Sequence, residues 1–454
     1  MARTAPVADA DTIAVLGGDL LREVFLHLPT PADLLRAALA CKPFIHAARS
    51  ARFLRRFRRR HPSACPLLLG CFVHRPSEDR CREDPSPLLL PAPLPAAARR
   101  VVEGGDFALS FLPDRGSSGP DPWRVLDSRS GRPLLWDRAS AEQPVADPWK
   151  VLDCRNGRLL LRNRVSGELA VADPLTRRWA SLPAPPAERP VGYGLVTDDG
   201  CSSVFQAFCL SEDGGGSSGL RALVLSSSEL RWADAAVLAG QYNLEDSRVM
   251  QANGSLYWKL KGGERMVALN TATMAFSLLE LPDFARQFSF DVIEKGDDDA
   301  GGLYLLTMLG CCIEVWGGWD DGSGVLTWTL VDKSVRFQRA MAEMIGSPQF
   351  YRHGLVVIAV VAGVVFLRNK DRLLSIDLET MKLRMLVRKD ECPSALMYPY
   401  TMAWPPSCLN PTEQGNVRLT TSYDDNKVLC RGNEEEGIQS SIRWLRRNQL
   451  CLNV

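Results

Sequence analysis

The side chains with the chemistry to hold a metal ion gather early in the chain. His61, Cys65, Cys71, His74 and Cys81 all fall within residues 61–81. Thiolates and imidazoles bind zinc when they come in closely spaced pairs. The intervals in this group match no zinc module, so a loop or core role is expected for it. The remaining histidines, His27, His46 and His353, form no metalloprotease or triad pattern. Asp297-Asp298-Asp299 offers carboxylates to a hard cation such as calcium, but a bare acidic run before Gly301-Gly302 reads as a solvated loop. Glycine pairs starting at Gly262, Gly301 and Gly317 hint at kelch-type blades without recurring at an even interval. No phosphate loop, dinucleotide fingerprint or kinase motif set is present. The densest charge is Arg52, Arg55, Arg56, Arg58, Arg59 and Arg60, expected as the solvated face of a helix, with a nuclear import or acidic-partner patch as the sharper reading. No catalytic residue, cofactor or metal ligand is expected, and the chain is not expected to be an enzyme.

Composition sets the frame for what positions these residues. At 454 residues the chain exceeds what a single core organises, so two or more units are expected. Its 54 Lys+Arg against 53 Asp+Glu argues against a nucleic-acid or membrane-surface partner, since both need a basic excess. The 13 cysteines are odd in number and scattered, which suits free thiols in a reducing compartment. Met1 to Asp19 holds one Arg and three Asp before any long apolar run, so no signal peptide is expected. The longest apolar stretch, Val356 to Leu367, is shorter than the ~20 residues of a membrane helix and reads as two buried strands. A cytoplasmic or nuclear protein is expected.

Helical signals concentrate in residues 13–61. Leu20, Leu21, Val24, Phe25 and Leu28 share one face of a helix led by Asp19 and ended by Pro29. Thr30, Pro31 and Asp33 occupy the N-cap, first-position and first-turn sites of a second helix, with Leu34, Leu35, Ala38 and Leu39 on its apolar face. Pro43 separates a third helix, opening at Phe44, and Ser50 caps a fourth carrying Phe53, Leu54 and Phe57. Helices of about ten residues are unstable alone. Their apolar surface exceeds what a small bundle hides, so a protein partner is expected to cover the excess.

These residues resemble an F-box. The match runs through Leu16-Gly17-Gly18-Asp19-Leu20-Leu21, Glu23-Val24-Phe25, Leu28-Pro29, Asp33-Leu34 and Cys41-Lys42-Pro43-Phe44. Gly17 stands where that family has proline, and Phe44 where it has tryptophan. The resemblance implies that Leu16, Asp19, Leu20, Leu21, Val24, Leu28, Pro29, Leu34, Leu35 and Phe44 serve a Skp-type adaptor, itself tethered to a cullin scaffold. The alternative is a helical domain with only its own core.

From about residue 65 the pattern turns to short strands between Gly, Pro, Asp and Ser. Trp123-Arg124-Val125-Leu126-Asp127 recurs as Trp149-Lys150-Val151-Leu152-Asp153, each copy leading through a Gly-ended turn into a Leu-rich strand. A second element has an Asp or Asn turn with Thr three residues on: Asp173 with Thr176, Asn270 with Thr273, and Asp377 with Thr380. Weaker turns fall between, at Ser226 to Glu229 before Trp232 and Asp321 to Gly324 before Trp328. The resulting unit of roughly fifty residues suits a propeller blade, and about six blades fit residues 65–408. An irregular pair of sandwiches is the alternative. Arg124 to Leu135, Ala252-Asn253-Gly254-Ser255-Leu256-Tyr257-Trp258, Gly302-Leu303-Tyr304-Leu305 and Tyr398-Pro399-Tyr400 also resemble the domain that follows the F-box in a large group of plant F-box proteins, especially those of grasses.

The expected fold class is α+β and multidomain. Residues 1–12 are expected as a disordered N-terminus, 13–61 as the F-box, 62–408 as a β-propeller-like recognition domain and 409–454 as a polar extension. The resemblance implies a substrate-recognition subunit of an SCF-type ubiquitin ligase. A scaffold acting outside a ligase, or a propeller enzyme acting on a sugar or ester, are the alternatives.

Overall fold

The computed structural model describes residues 17–29, 31–61, 68–73, 88–91, 102–112, 149–197, 204–212, 219–245, 247–294, 302–320, 326–345, 355–361, 363–369, 372–378, 380–387, 396–404 and 409. Four helices come first: α1 (Gly18–Leu26), α2 (Pro31–Ala38), α3 (Lys42–Ala48) and α4 (Ala51–Arg60). Their boundaries follow local chemistry. Pro31 opens α2, where a missing N–H costs nothing. Ser50 caps α4 by accepting from the Phe53 N–H at 3.4 Å. Pro43 lies inside the first turn of α3 rather than ahead of it, for the same reason that Pro31 is tolerated. Asp19 does not cap α1; Gly17 is the N-cap, without a side-chain bond, and Asp19 pairs with Arg22 at 2.6 Å. Leu21, Phe25, Leu34, Ile45, Phe53, Leu54 and Phe57 form the shared core of the four helices.

Five four-stranded antiparallel sheets follow in chain order. The first holds β3 (Trp149–Arg155), β4 (Arg158–Asn163), β5 (Leu169–Asp173) and β6 (Arg178–Leu182), and the second β7 (Arg189–Thr197), β8 (Phe205–Glu212), β9 (Gly219–Ser226) and β10 (Trp232–Ala239). The third holds β11 (Met250–Ala252), β12 (Ser255–Lys259), β13 (Arg265–Asn270) and β14 (Ala275–Glu280). The fourth holds β15 (Phe290–Ile293), β16 (Leu303–Leu309), β17 (Cys312–Asp320) and β18 (Leu326–Arg336). The fifth holds β19 (Val356–Val361), β20 (Val364–Asn369), β21 (Arg372–Asp377) and β22 (Lys382–Val387). The apolar run from Val356 is therefore two strands, as expected.

The ring closes through a three-stranded sheet drawn from both ends of the propeller. β1 (Leu68–Val73) pairs with β2 (Leu88–Pro91) on one side and β23 (Met397–Thr401) on the other. The innermost strand β23 packs against β19 and β3, which joins the last sheet to the first. The described residues thus form a propeller of five complete blades plus this closure, one complete blade fewer than the six expected. The first copy of the doubled hairpin, the Asp297–Asp299 run, His74 and His353 lie outside the described residues, as do residues 1–12 and 410–454. Leu409, expected to begin a polar extension, is buried in the helical core. A short helix α5 (Gln338–Ile345) between β18 and β19 was not expected. It buries Met341 in the core between the fourth and fifth blades.

The turns joining the third and fourth strands of a blade repeat in atomic detail. Asp173 accepts from the Leu175 and Thr176 N–H groups at 3.0 and 3.3 Å, Asn270 from those of Ala272 and Thr273 at 3.0 and 2.8 Å, and Asp377 from that of Thr380 at 2.8 Å. Four residues after each turn-setting residue the backbone turns left-handed, at Arg177, Met274 and Met381, and at Leu230 after Ser226 in the second blade. The hairpin from β3 to β4 uses Asn156 and Gly157, both at positive φ, the pairing an I′ turn demands.

Candidate functional site

On α1, the apolar residues divide by direction. Leu21, Phe25 and Leu26 point into the helical core, while Leu20 and Val24, one turn apart, stay 52% and 50% exposed. Leu34 is fully buried, and Leu28, Leu35 and Phe44 are half-buried against the core, Phe44 edge-on to Phe25 at 5.4 Å. Pro29 and Asp19 are exposed and Leu16 lies outside the described residues. Of the ten residues that the resemblance assigns to the adaptor-binding surface or its supporting core, Leu21 and Leu34 are core, and Asp19, Leu20, Val24 and Pro29 are surface.

The exposed stripe adjoins a cationic one. Positions 20, 23, 24 and 27 lie on one face of α1, and two of them reach α4: Glu23 accepts from Arg56 at 2.8 Å, and His27 Nδ1 lies 3.4 Å from an Arg60 nitrogen. Arg52, Arg55, Arg56, Arg59 and Arg60 line a shallow cleft with Leu26. This is the expected solvated arginine face. It is in place beside α1, which the sequence did not reveal.

Trp404 joins the helices to the propeller. Its ring stacks on Phe57 at 5.9 Å and 17°, and its indole N–H donates to the Leu54 carbonyl at 3.4 Å. Its backbone is gripped by Asn156, which accepts from the Trp404 N–H at 2.6 Å and donates to the Trp404 carbonyl at 2.9 Å. Gly157 leaves the room for this: a Cβ there would meet the Ala403 nitrogen at 2.7 Å. The residues on either side of Trp404 and Asn156 carry no local signal for a contact between positions so far apart in the chain.

Near the propeller axis, polar residues tie inner strands together. Asp153 on β3 accepts from the Leu195 N–H of β7 at 2.9 Å, and Asp291 on β15 accepts from the Val360 N–H of β19 at 2.6 Å. Arg248 donates to Asp291 at 2.6 Å, and both Arg248 and Arg155 donate to the Val249 carbonyl, at 3.2 and 2.9 Å. Arg155 also lies 3.4 Å from Asp153, so the two arginines and two aspartates form two ion pairs there. Burial pushes the Cys71 and Cys154 thiols up, so neither is a ready nucleophile. Among the described residues no three His, Cys, Asp or Glu side chains are grouped to hold a metal ion, and no helix is long and apolar enough to cross a membrane.

The weakest comparisons are with solved structures. One chain of a nidogen/laminin complex is 10% identical, with 56% of this chain and 84% of that chain covered at a TM-score of 0.32. AztD from Citrobacter koseri is 12% identical (54% and 73% covered, TM-score 0.26), and YCF48 from Cyanidioschyzon merolae 9% (50% and 69%, TM-score 0.30). Similarity this low assigns neither a ligand nor an activity. No curated protein matches the chain. A family model does, over residues 150–407, more than half of the chain, and those residues span the five blades and the closing strand. The chain belongs to the family described as F-box protein AT5G49610-like, beta-propeller.

Proposed function

We propose that the chain is the substrate-recognition subunit of an SCF-type ubiquitin ligase. The helices are the F-box and dock on a Skp-type adaptor, which is tethered to a cullin, while the propeller holds a target protein. Chemistry then belongs to other subunits, and this chain supplies proximity and orientation rather than catalysis. Cytoplasm and nucleus are the compartments this role requires.

The observation that carries the reading is the exposed pair Leu20 and Val24 on a helix whose inner face is already filled by Leu21, Phe25 and Leu26. A solvated leucine and valine one turn apart are surplus to the fold and fit a protein partner. The family's name supports the same role. Co-purification of the full chain with a Skp-type adaptor tests it. Wild type is expected to retain the adaptor and Leu20→Asp/Val24→Asp to lose it while keeping its helical signal. Failure of wild type to bind, or equal binding by the double variant, refutes the docking.

A further inference from the structure

We propose that the arginine face of α4 is part of the docking surface and seats an acidic segment of the adaptor; this rests on the reading above. Arg52, Arg55, Arg56, Arg59 and Arg60 recur at intervals of three and four, so they line one side of a helix about 15 Å long. Arg56 and Arg60 meet Glu23 and His27 of α1, and of those two only Glu23 carries a negative charge. No acidic group among the described residues reaches Arg52 or Arg55, both of which are exposed. Holding like charges side by side raises the energy of the free chain, a cost that an acidic partner relieves.

Position argues for the same partner as the apolar stripe. Glu23 and His27, the residues that contact Arg56 and Arg60, alternate with Leu20 and Val24 on a single face of α1. Apolar anchor and cationic ridge are therefore one continuous surface, spanning the two helices. Its complement is an apolar groove flanked by carboxylates. A nucleic acid is the poorer fit. Surfaces that bind single strands interleave basic groups with exposed aromatic faces, whereas Leu and Val stand beside this ridge, and the whole chain carries a formal charge of only +1.

Charge complementarity of this kind acts mainly on the association rate and is screened by salt. The test is adaptor binding to the immobilised full chain, followed in real time at about 0.1 M and about 1 M salt, where the Debye length falls from about 10 to about 3 Å. Wild-type association is expected to slow with salt. Arg52→Glu/Arg55→Glu is expected to associate about tenfold more slowly at the lower salt, with a flattened salt dependence and an unchanged dissociation rate. Arg52→Gln/Arg55→Gln should fall between the two, and circular dichroism should report intact helices in both. If wild type binds and the charge-reversed variant matches it in rate and salt slope, the proposal is overturned and the docking stands. Wild type that binds no adaptor overturns both. Loss of binding to a single-stranded RNA 12-mer, with adaptor association unchanged, overturns it in favour of nucleic acid.

Discussion

Arg248 is the residue whose removal should cost the propeller most for the fewest atoms lost. Its guanidinium is almost fully buried and lies 2.6 Å from Asp291, whose carboxylate also receives the Val292 and Val360 N–H groups at 3.0 and 2.6 Å. Replacing Arg248 with Met keeps most of the volume and strands that carboxylate without its counter-charge. Removing one partner of a buried pair costs about 3–5 kcal/mol, because the charge left behind has lost both water and its match. In a domain of this size the lower figure alone corresponds to a fall in Tm of roughly 6–12 °C. Asp291→Asn removes the charge and one acceptor oxygen, so it is destabilising by itself. In the double variant neither charge remains, and the pair should couple by about 2–3 kcal/mol. Urea unfolding followed by tryptophan fluorescence measures all four proteins, provided the m-value is unchanged. A loss below about 1 kcal/mol for Arg248→Met, or additive single variants, would refute the claim that this pair ties the inner strands.

Leu21→Ala should destabilise the helices by about 2–5 kcal/mol, whereas Leu20→Ala and Val24→Ala should stay within about 0.5 kcal/mol, measured by thermal melts at the helical circular-dichroism band. Gly157→Ala forces a Cβ against the Ala403 backbone at a positive φ, and a loss of about 1–3 kcal/mol in urea midpoint is expected, with Gly167→Ala, also at positive φ but facing open space, costing less. Lys259 is held below its ordinary 10.5 by burial, although it donates to the Phe290 carbonyl at 2.9 Å. Between its lowered value and 10.5 the unfolded chain binds the extra proton, so this group makes stability rise with pH through that window. The buried thiols act oppositely, so the measurement is the difference between wild type and Lys259→Met in urea midpoint from about pH 8 to about pH 10. Wild type should gain on the variant as pH rises, and parallel curves would rule the effect out.

Much of the local structure was legible because it is written in adjacent residues. Asp173, Asn270 and Asp377 announced turns that the structure repeats with the same bonds and the same left-handed fifth position. Ser50, Pro31 and the Asn156-Gly157 hairpin were equally local. Direction on α1 was not. A stripe of Leu20, Leu21, Val24, Phe25 and Leu28 has the right spacing for one face, but spacing cannot separate its centre from its edge, and Leu20 and Val24 proved to be the edge. The charge of Asp19 suggested a cap, and its neighbour Arg22 claimed it instead. Contacts between distant positions left no trace at all. Pairing of β1 with β23 and the grip of Asn156 on Trp404 depend on ring closure, and the match of Arg248 to Asp291 on how consecutive blades pack. Among the described residues the sixth place in the ring is taken by the three-stranded closing sheet, whose strands come from both ends of the propeller and so follow no repeat.

That shared sheet gives the junction with the helices its mechanical character. α4 leads into β1, and β23 leads directly to Trp404, which packs on Phe57 of α4. The helical core therefore leans on the one sheet that both ends of the propeller must complete, and it is tied to the first blade through Asn156 as well. A hinge between the two would require an exposed, polar connection with few contacts. Here the connection buries a tryptophan and Leu409 and is held by two hydrogen bonds between the Asn156 side chain and the Trp404 backbone. In the proposed ligase role, a joint packed in this way sets the distance and angle between the adaptor on the helices and the target on the blades. Effective concentration depends steeply on how well such a link matches the span it must bridge. For a protein proposed to act by proximity alone, rigidity at Trp404 takes the place that a catalytic group holds in an enzyme.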